Sequence, residues 1–472
     1  MNGMNENPLD LLPEALLAAS AVIGLLLGAW LPRHRQWMTG ALAAAACIAG
    51  IAAAAVAAAG PDTTAFGESF SVDPVTGAGR IIILAGTLLV LALAVGPLHA
   101  HPRETEFYVL LQLAALGALM LAGAQDLLLL AAGYLLASVP AYTLAGFRKD
   151  AAGTEAALKY YVVGAALGVV MLGGITVLLA AGRATMYPIL RAELPMASTA
   201  LVTTGTIALV AGVLFKAGGV PAHFWVPDTV QGSTAPVAAF LTTVPKIGAL
   251  VALYRLAAVP LADTAIPWPG LVAVLSAASM TLGNLAAFFQ RDVKRLLAYS
   301  TISQVGYLLM PVAVVGATGL DQRALLFYLA AYTVTNIGAF AVVCALPDAH
   351  TIEDYRGLAR ERPVLIASLV VCLLGLVGTP PTAVFLGKLQ VFSAAFDGGY
   401  AWLAVLAAVN TVASLFYYLR WIAPTVSPRT HRPAASGPRT AAGVACVTAT
   451  ASLALGVLAD PVLEVLATPL MP

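Results

Sequence analysis

The chain has 472 residues, of which 60% are hydrophobic and only 10% charged, with a formal net charge of +1. A chain this long and this apolar cannot be one soluble core. Stretches of about 20 apolar residues, each long enough to cross a bilayer as a helix, recur from end to end.

In chain order the spans fall at 11–31, 38–60, 80–98, 107–123, 126–147, 156–181, 199–222, 235–257, 268–290, 296–317, 323–346, 363–395, 400–423 and 440–460, fourteen in all. The expected fold class is therefore an all-α polytopic membrane protein. No linker is long enough for a separate soluble domain. The N-terminus lacks a basic region, so no cleaved signal peptide is expected.

The basic residues orient these spans, because inner loops collect Lys and Arg. Alternate loops carry Arg33 and Arg35, Arg103, Arg148 and Lys149, then Arg291, Lys294 and Arg295. The series continues with Arg356, Arg360 and Arg362, and ends with Arg420, Arg429, Arg432 and Arg439. The opposite loops have only Arg80, Arg183, Arg191, Arg255 and Arg323, which places both termini on the outer side. The remaining basic residues fall inside spans, and all are lysines: Lys159, Lys216, Lys246 and Lys388.

A lysine near the middle of a spanning helix costs about 2.5–3.5 kcal/mol on insertion scales. Arginine stays charged in a protein, whereas a buried lysine can give up its proton. A string of lysines is thus a string of groups able to load and unload protons. Snorkelling of the ammonium to the headgroups is the alternative, most readily for Lys159 near its helix end.

Two of these lysines accompany helix breaks. In LFKAGGVPAHFWVPD, Lys216 precedes Gly218, Gly219 and Pro221; in GTPPTAVFLGK, Gly378, Pro380 and Pro381 precede Lys388. Unwound backbone at membrane depth is tolerated only where protein or a wet cavity surrounds it. Interrupted helices at matching places in two halves point to a transport site. If spans four to eight form one unit and nine to thirteen another, the broken spans seven and twelve are each fourth in their unit. Five is odd, so the two units would be inverted. Proline kinks for packing alone are the competing explanation. In the eighth span, Pro245 directly precedes Lys246.

Other polar groups share this band. His223 titrates near neutral pH and could pass a proton between lysines, or simply sit in a capped loop. Glu155 lies four residues before Lys159, the favourable order for a helical ion pair; it either neutralises that lysine or modulates a proton site. Asp228 and Gln231 are read as organising a turn. Tyr299, Ser300, Thr301, Ser303 and Gln304 give the tenth span a hydroxyl-rich face, which holds water or bonds neighbouring helices.

Absences narrow the chemistry. Cys47, Cys344, Cys372 and Cys446 are scattered singly, without metal or iron–sulfur spacing. No phosphate loop, dinucleotide fingerprint or hydrolase constellation is present. The basic residues are a topology signal and not a nucleic-acid surface. The chain is expected to move ions without making or breaking bonds.

The segments HFWVPDTVQGSTAPVAAFLTTVPK, DVKRLLAYSTISQVGYL, YTVTNIGAFAVV and GTPPTAVFLGK resemble the antiporter-like membrane subunits of respiratory complex I. The PDTVQG wording is similar to subunit N of bacterial NADH-quinone oxidoreductase more than to its L and M relatives or to cation/proton antiporter subunits. The likeness runs over roughly Leu110 to Trp421. It implies N-terminal helices in 1–106, inverted five-helix repeats in 107–257 and 268–423, and a last helix in 440–472. It implies a multi-pass protein of the bacterial inner membrane, in contact with other membrane subunits and through them a peripheral electron-transfer arm. Quinone, NADH, FMN and iron–sulfur clusters would belong to other subunits, and this chain would hold no cofactor and no metal.

Carried onto matching positions, Lys216 is the central lysine of the seventh span and His223 its relay. Lys246 connects onward, Lys388 opens toward the outer side, and Glu155 and Lys159 match in EAALKY. Two positions depart from the pattern. Leu135 stands where the family places a glutamate, and Gln304 where a histidine is usual; neither can titrate. A cation/proton antiporter of Mrp type and a structural subunit that no longer pumps are the other readings.

Overall fold

The computed structural model describes residues 7–99, 101–428 and 437–466. Arg429 and Arg432 of the inner-loop set, and both chain ends, lie outside the described residues.

The chain opens with α1 (Leu12–Trp30) and α2 (Trp37–Ala57), followed by a small hairpin of β1 (Thr63–Ala65) and β2 (Phe70–Val72). Thr63 pairs with Val72 in its antiparallel register. Next come α3 (Pro74–Leu98), α4 (Glu104–Gly123), α5 (Leu127–Ala145), α6 (Ala151–Gly182) and the short α7 (Tyr187–Glu193). The middle of the chain forms α8 (Thr199–Ala217), α9 (Trp225–Gly232), α10 (Ala235–Ala258), α11 (Trp268–Ala287), α12 (Val293–Ala313) and α13 (Asp321–Ala345). After α14 (Leu358–Glu361) follow α15 (Pro363–Val377), α16 (Ala383–Asp397), α17 (Ala401–Val426), α18 (Arg439–Val457) and α19 (Ala459–Val465).

Among the described residues, 13 helical stretches are long and apolar enough to cross a membrane. The remaining expected span, 363–395, is divided between α15 and α16, each of 15 residues. Aspartates start several helices by accepting from first-turn N–H groups that have no helical partner. Asp73 takes that of Thr76 before α3, Asp126 those of Leu128 and Leu129 before α5, and Asp150 that of Gly153 before α6.

The two interruptions are built alike. α8 stops at Ala217 and α15 at Val377, and the following glycines, Gly218 and Gly378, take left-handed φ values of 77° and 90°. Glycine is the residue that adopts that conformation without a Cβ penalty, and its N–H returns to the last turn. A cis peptide follows each break, Val220–Pro221 and Pro380–Pro381.

Packing around the breaks is also matched. α4 lies against α5 and α10, as α11 lies against α12 and α17. α6 packs on α8 and α9, as α13 packs on α15 and α16. α10, α12 and α13 are enclosed by protein on nearly every side, while α1, α2, α6, α17 and α18 form much of the exterior. The α10–α13 contact joins the two groups.

Arg80 and Arg255, which the loop-charge pattern places in outer loops, are instead fully buried inside helices α3 and α10. The apolar window missed the start of α3 because its first turns carry Thr76, Gly77 and Gly79, which are buried against protein and not lipid. Lysines are therefore not the only basic residues inside the spans. Each buried arginine has a carboxylate: Arg80 pairs with Glu14 at 2.8 Å and Arg255 with Asp73 at 2.8 Å.

Candidate functional site

Lys216 is the penultimate residue of α8, directly before the break, and is 1% exposed. Its Nζ donates to the Ala137 carbonyl of α5 at 3.3 Å. Aromatic rings form the rest of its surroundings, with Tyr134 at 5.4 Å, Tyr160 at 5.7 Å and Tyr142 at 6.0 Å from Nζ to centroid. Ring faces attract a cation without supplying a counter-charge. Tyr160 in turn stacks on Trp225 at 4.1 Å, and the Trp225 indole N–H donates to the Phe215 carbonyl at 3.0 Å. The aromatic block thus ties α6, α8 and α9 together at the interruption.

Lys246 of α10 approaches the same interruption from the other side. A Cβ on Gly218 would lie 3.0 Å from its Nζ, so the amine rests against the bare backbone of the break. Lys246 is 0% exposed, and its Nζ has no hydrogen-bond partner among the described residues.

One turn from Lys246 a row of buried polar side chains, not bonded to its amine, leads across the molecule. Thr242 and Thr243, one turn earlier in α10, accept from Asn336 Nδ2 of α13 at 3.0 and 2.9 Å. Tyr332, one turn before Asn336, donates to the Thr242 carbonyl at 2.8 Å and lies 3.1 Å from Thr301 Oγ1 of α12. Gln304, one turn further along α12, donates to the Leu376 carbonyl at 2.9 Å and accepts from the Tyr328 hydroxyl. Leu376 is the second-last residue of α15, so this chain ends at the second break.

Lys388 is there. Its Nζ donates to the Val377 carbonyl at 2.8 Å and to Thr411 Oγ1 at 3.2 Å, and sits 4.1 Å from the Tyr307 ring centroid. Thr411 continues to the Tyr307 hydroxyl at 3.2 Å. A Cβ on Gly378 would fall 2.9 Å from Lys388 Cδ, the same close relation that Gly218 has with Lys246.

Lys216, Lys246 and Lys388 form no ion pair among the described residues. The contrast with Arg80 and Arg255 follows from chemistry: guanidinium keeps its charge and needs a fixed partner, while an amine can exist in either state. His223 lies within the first break, half-buried, its ring 4.5 Å from that of Phe224 and its Nδ1 enclosed without a hydrogen-bond partner among the described residues.

Glu155 and Lys159 sit apart from this interior. Lys159 pairs with Glu155 at 2.6 Å and with Asp228 at 2.7 Å, and its side chain is 44% exposed. Asp228 also takes Arg295 at 2.6 Å, so it is the hub of an ion cluster joining α6, α9 and α12 and not a turn-former. Leu135 is 49% exposed and faces the exterior, while Gln304 is a fixed member of the buried chain.

The sequence singles out the lysines and the α12 hydroxyl face as candidates but gives no prominence to Tyr332, Asn336, Thr242, Thr243 or Thr411. The signal was available for α13, where Tyr332 and Asn336 are four apart and share one helical face.

Residues 124–414 match the family model described as NADH:quinone oxidoreductase/Mrp antiporter, transmembrane. NADH-quinone oxidoreductase subunit N of Mycobacterium sp. (strain JLS) is 53% identical over 459 residues, covering 96% of this chain and 97% of that protein. The chain belongs to the subunit N family of NADH-quinone oxidoreductase.

A second subunit N relative, subunit N 1 of Streptomyces griseus subsp. griseus, is 54% identical over 465 residues, with 98% of each chain covered. A chain of respiratory complex I from Thermus thermophilus, solved with bound aureothin, superimposes with a TM-score of 0.84 at 33% identity over 97% of this chain and 100% of its own. A chain of the Mrp complex from Dietzia sp. DQ12-45-1b has a TM-score of 0.84 at 20% identity over 97% of this chain and 96% of its own, a likeness of fold alone. The stretch matched by the family model, residues 124–414, spans both interruptions and all three buried lysines.

Proposed function

We propose that this chain is a proton-translocating membrane-arm subunit of a quinone-reducing respiratory complex, and that Lys216, Lys246 and Lys388 carry the proton. The observation that supports this most directly is the polar chain from Lys246 through Tyr332 and Gln304 to Lys388, in a protein whose buried arginines are paired and whose buried lysines are not. Helices α4–α10 (107–257) and α11–α17 (268–423) act as two inverted repeats, each presenting one broken helix to this line; 1–106 and 440–472 flank them.

Each element has a physical task. Lys216, held by ring faces and one carbonyl, exchanges its proton at the first break, where His223 relays it. Lys246, without an acceptor among the described residues, calls for water in the same space, since an ammonium offers three donors. Lys388 passes the proton on beside the second break, toward the outer side. Coupling is electrostatic: a proton on one amine disfavours a proton on its neighbour in a low-dielectric interior. Glu155 and Lys159, in their cluster with Asp228 and Arg295, set the field at the flank of the first repeat. Gln304, tied at both ends of its amide, conducts only by reorienting hydrogen bonds and does not titrate.

The chain itself supplies no redox chemistry. Quinone, NADH, FMN and iron–sulfur clusters are assigned to the other subunits and the peripheral arm. The setting is the bacterial inner membrane, with both termini outside.

Leu135 favours one other reading, a subunit that holds the arm together without pumping. Proton uptake or release by membrane vesicles, normalised to quinone reduction, separates the two for wild type and Lys216→Ala with assembly checked. A lower proton-to-electron ratio, or loss of coupled turnover in an intact complex, supports the pump. Unchanged ratio and turnover would leave only the structural role.

A further inference from the structure

A cavity of about 370 Å³ opens on the side of the molecule that carries most of the loop cations, between the ends of α3, α10 and α13. Ala94, Leu98, Phe107, Phe147 and Val343 give it apolar walls, while Arg148, Lys294, His101 and His350 stand at its polar edge, and its lining contains no carboxylate. Apolar depth beneath a cationic rim is the pattern that an anionic lipid fits, with its phosphate at the rim and its chain below.

The rim groups have donors to spare. Lys294 Nζ gives two hydrogen bonds to backbone, to the Gln231 and Ser233 carbonyls at 2.6 and 2.8 Å, leaving a third donor. Arg148 meets Asp150 through Nη2 at 2.6 Å, and among the described residues no hydrogen bond takes the rest of its guanidinium fork. His101 accepts from the Arg103 N–H through Nδ1 at 3.1 Å, which puts its proton on Nε2 as a further donor. The first turn of α10 also faces the cavity through Thr234 and Ala235, and the Thr234 side chain makes no capping bond, so helix-end N–H groups add to the positive field.

We infer that this cavity binds one acyl chain of an anionic phospholipid, with the phosphate held between Arg148 and Lys294 at the amino end of α10. The lipid wedges α3, α10 and α13 where the two proposed repeats meet. This assignment does not depend on proton translocation, and its test reads lipid, not pumping.

The experiment uses the intact complex with wild type, an Arg148→Gln/Lys294→Gln double variant, and Ala235→Leu, which narrows the cavity and keeps both cations. Each complex is exchanged into phosphatidylcholine nanodiscs containing a minor fraction of phosphatidylglycerol. Lipid retained after detergent release is then counted by native mass spectrometry, with quinone reduction as the check on integrity. Wild type is expected to retain phosphatidylglycerol, and both variants to retain on the order of tenfold less, with phosphatidylcholine unchanged. If the double variant does not assemble, Ala235→Leu still decides. Equal phosphatidylglycerol retention in wild type and an assembled variant overturns the site, and wild type retaining the two lipids in proportion to their supply overturns the anionic assignment.

Discussion

The Tyr332 hydroxyl donates to the Thr242 carbonyl at 2.8 Å and stands 3.1 Å from Thr301 Oγ1, so one phenol joins α10, α13 and α12. It lies midway along the row of buried polar groups between Lys246 and Lys388. Tyr332→Phe keeps the ring and removes only that hydroxyl. The expected stability cost is about 1–3 kcal/mol, for a buried carbonyl that loses its donor. The functional loss should be larger: proton translocation per quinone reduced falls several-fold while the complex still assembles. Equal ratios for Tyr332→Phe and wild type would show that protons bypass this phenol.

Lys216 gives a sharper test of titration as opposed to charge. Lys216→Arg preserves a cation beside the same rings but cannot release its proton. If Lys216 only stabilises charge, the arginine variant pumps; if it must exchange a proton, it fails as completely as Lys216→Ala. The measurement is the proton-to-electron ratio of both variants in vesicles, alongside the amount of assembled complex.

Much of this site was legible in advance, for a physical reason. Lysine, proline and paired glycines stand out in an apolar span because each carries a cost there, so LFKAGGVP and GTPPTAVFLGK announced both breaks. Tyr332, Asn336 and Thr242 were harder, because hydroxyl and amide side chains are common between membrane helices and carry no comparable penalty. Arg80 and Arg255 were misplaced for the opposite reason: a helix end buried in protein does not look apolar, and hydropathy cannot tell a lipid-facing turn from a protein-facing one. Pairings such as Asp73 with Arg255, 182 residues apart, belong to tertiary structure and have no local sequence signal.

The glycines at the breaks should tolerate no side chain. At Gly218 an alanine Cβ would meet Lys246 Nζ and Val226 at 3.0 Å while forced into φ +77°. The left-handed conformation alone costs about 1–2 kcal/mol for an L-residue. Gly218→Ala is therefore expected to displace Lys246 and lower pumping, and Gly378→Ala to do the same through Lys388. A control at Gly173 of α6, where a Cβ meets nothing within 4 Å, should assemble and pump as wild type. Comparable defects at all three positions would remove the special role of the breaks.

The Asp73–Arg255 pair predicts how the fold responds to charge removal and to acid. Burial acts to raise the Asp73 carboxyl, but the Arg255 guanidinium, with the Thr76 N–H and the Ser71 hydroxyl, outweighs it and holds the group down at about 2. A folded-state value below the unfolded one contributes stability that is present at neutral pH. That contribution is lost as pH falls from about 4 toward 2, when the carboxylate takes up its proton. Asp73→Asn removes the charge at every pH and leaves a buried guanidinium uncompensated, a loss of about 3–5 kcal/mol. The variant should assemble poorly, and adding Arg255→Met should restore much of the assembly by removing the stranded cation. Thermal melting of the purified complex would show this as a non-additive pair. Strictly additive losses for Asp73→Asn and Arg255→Met would mean that the two charges do not depend on each other.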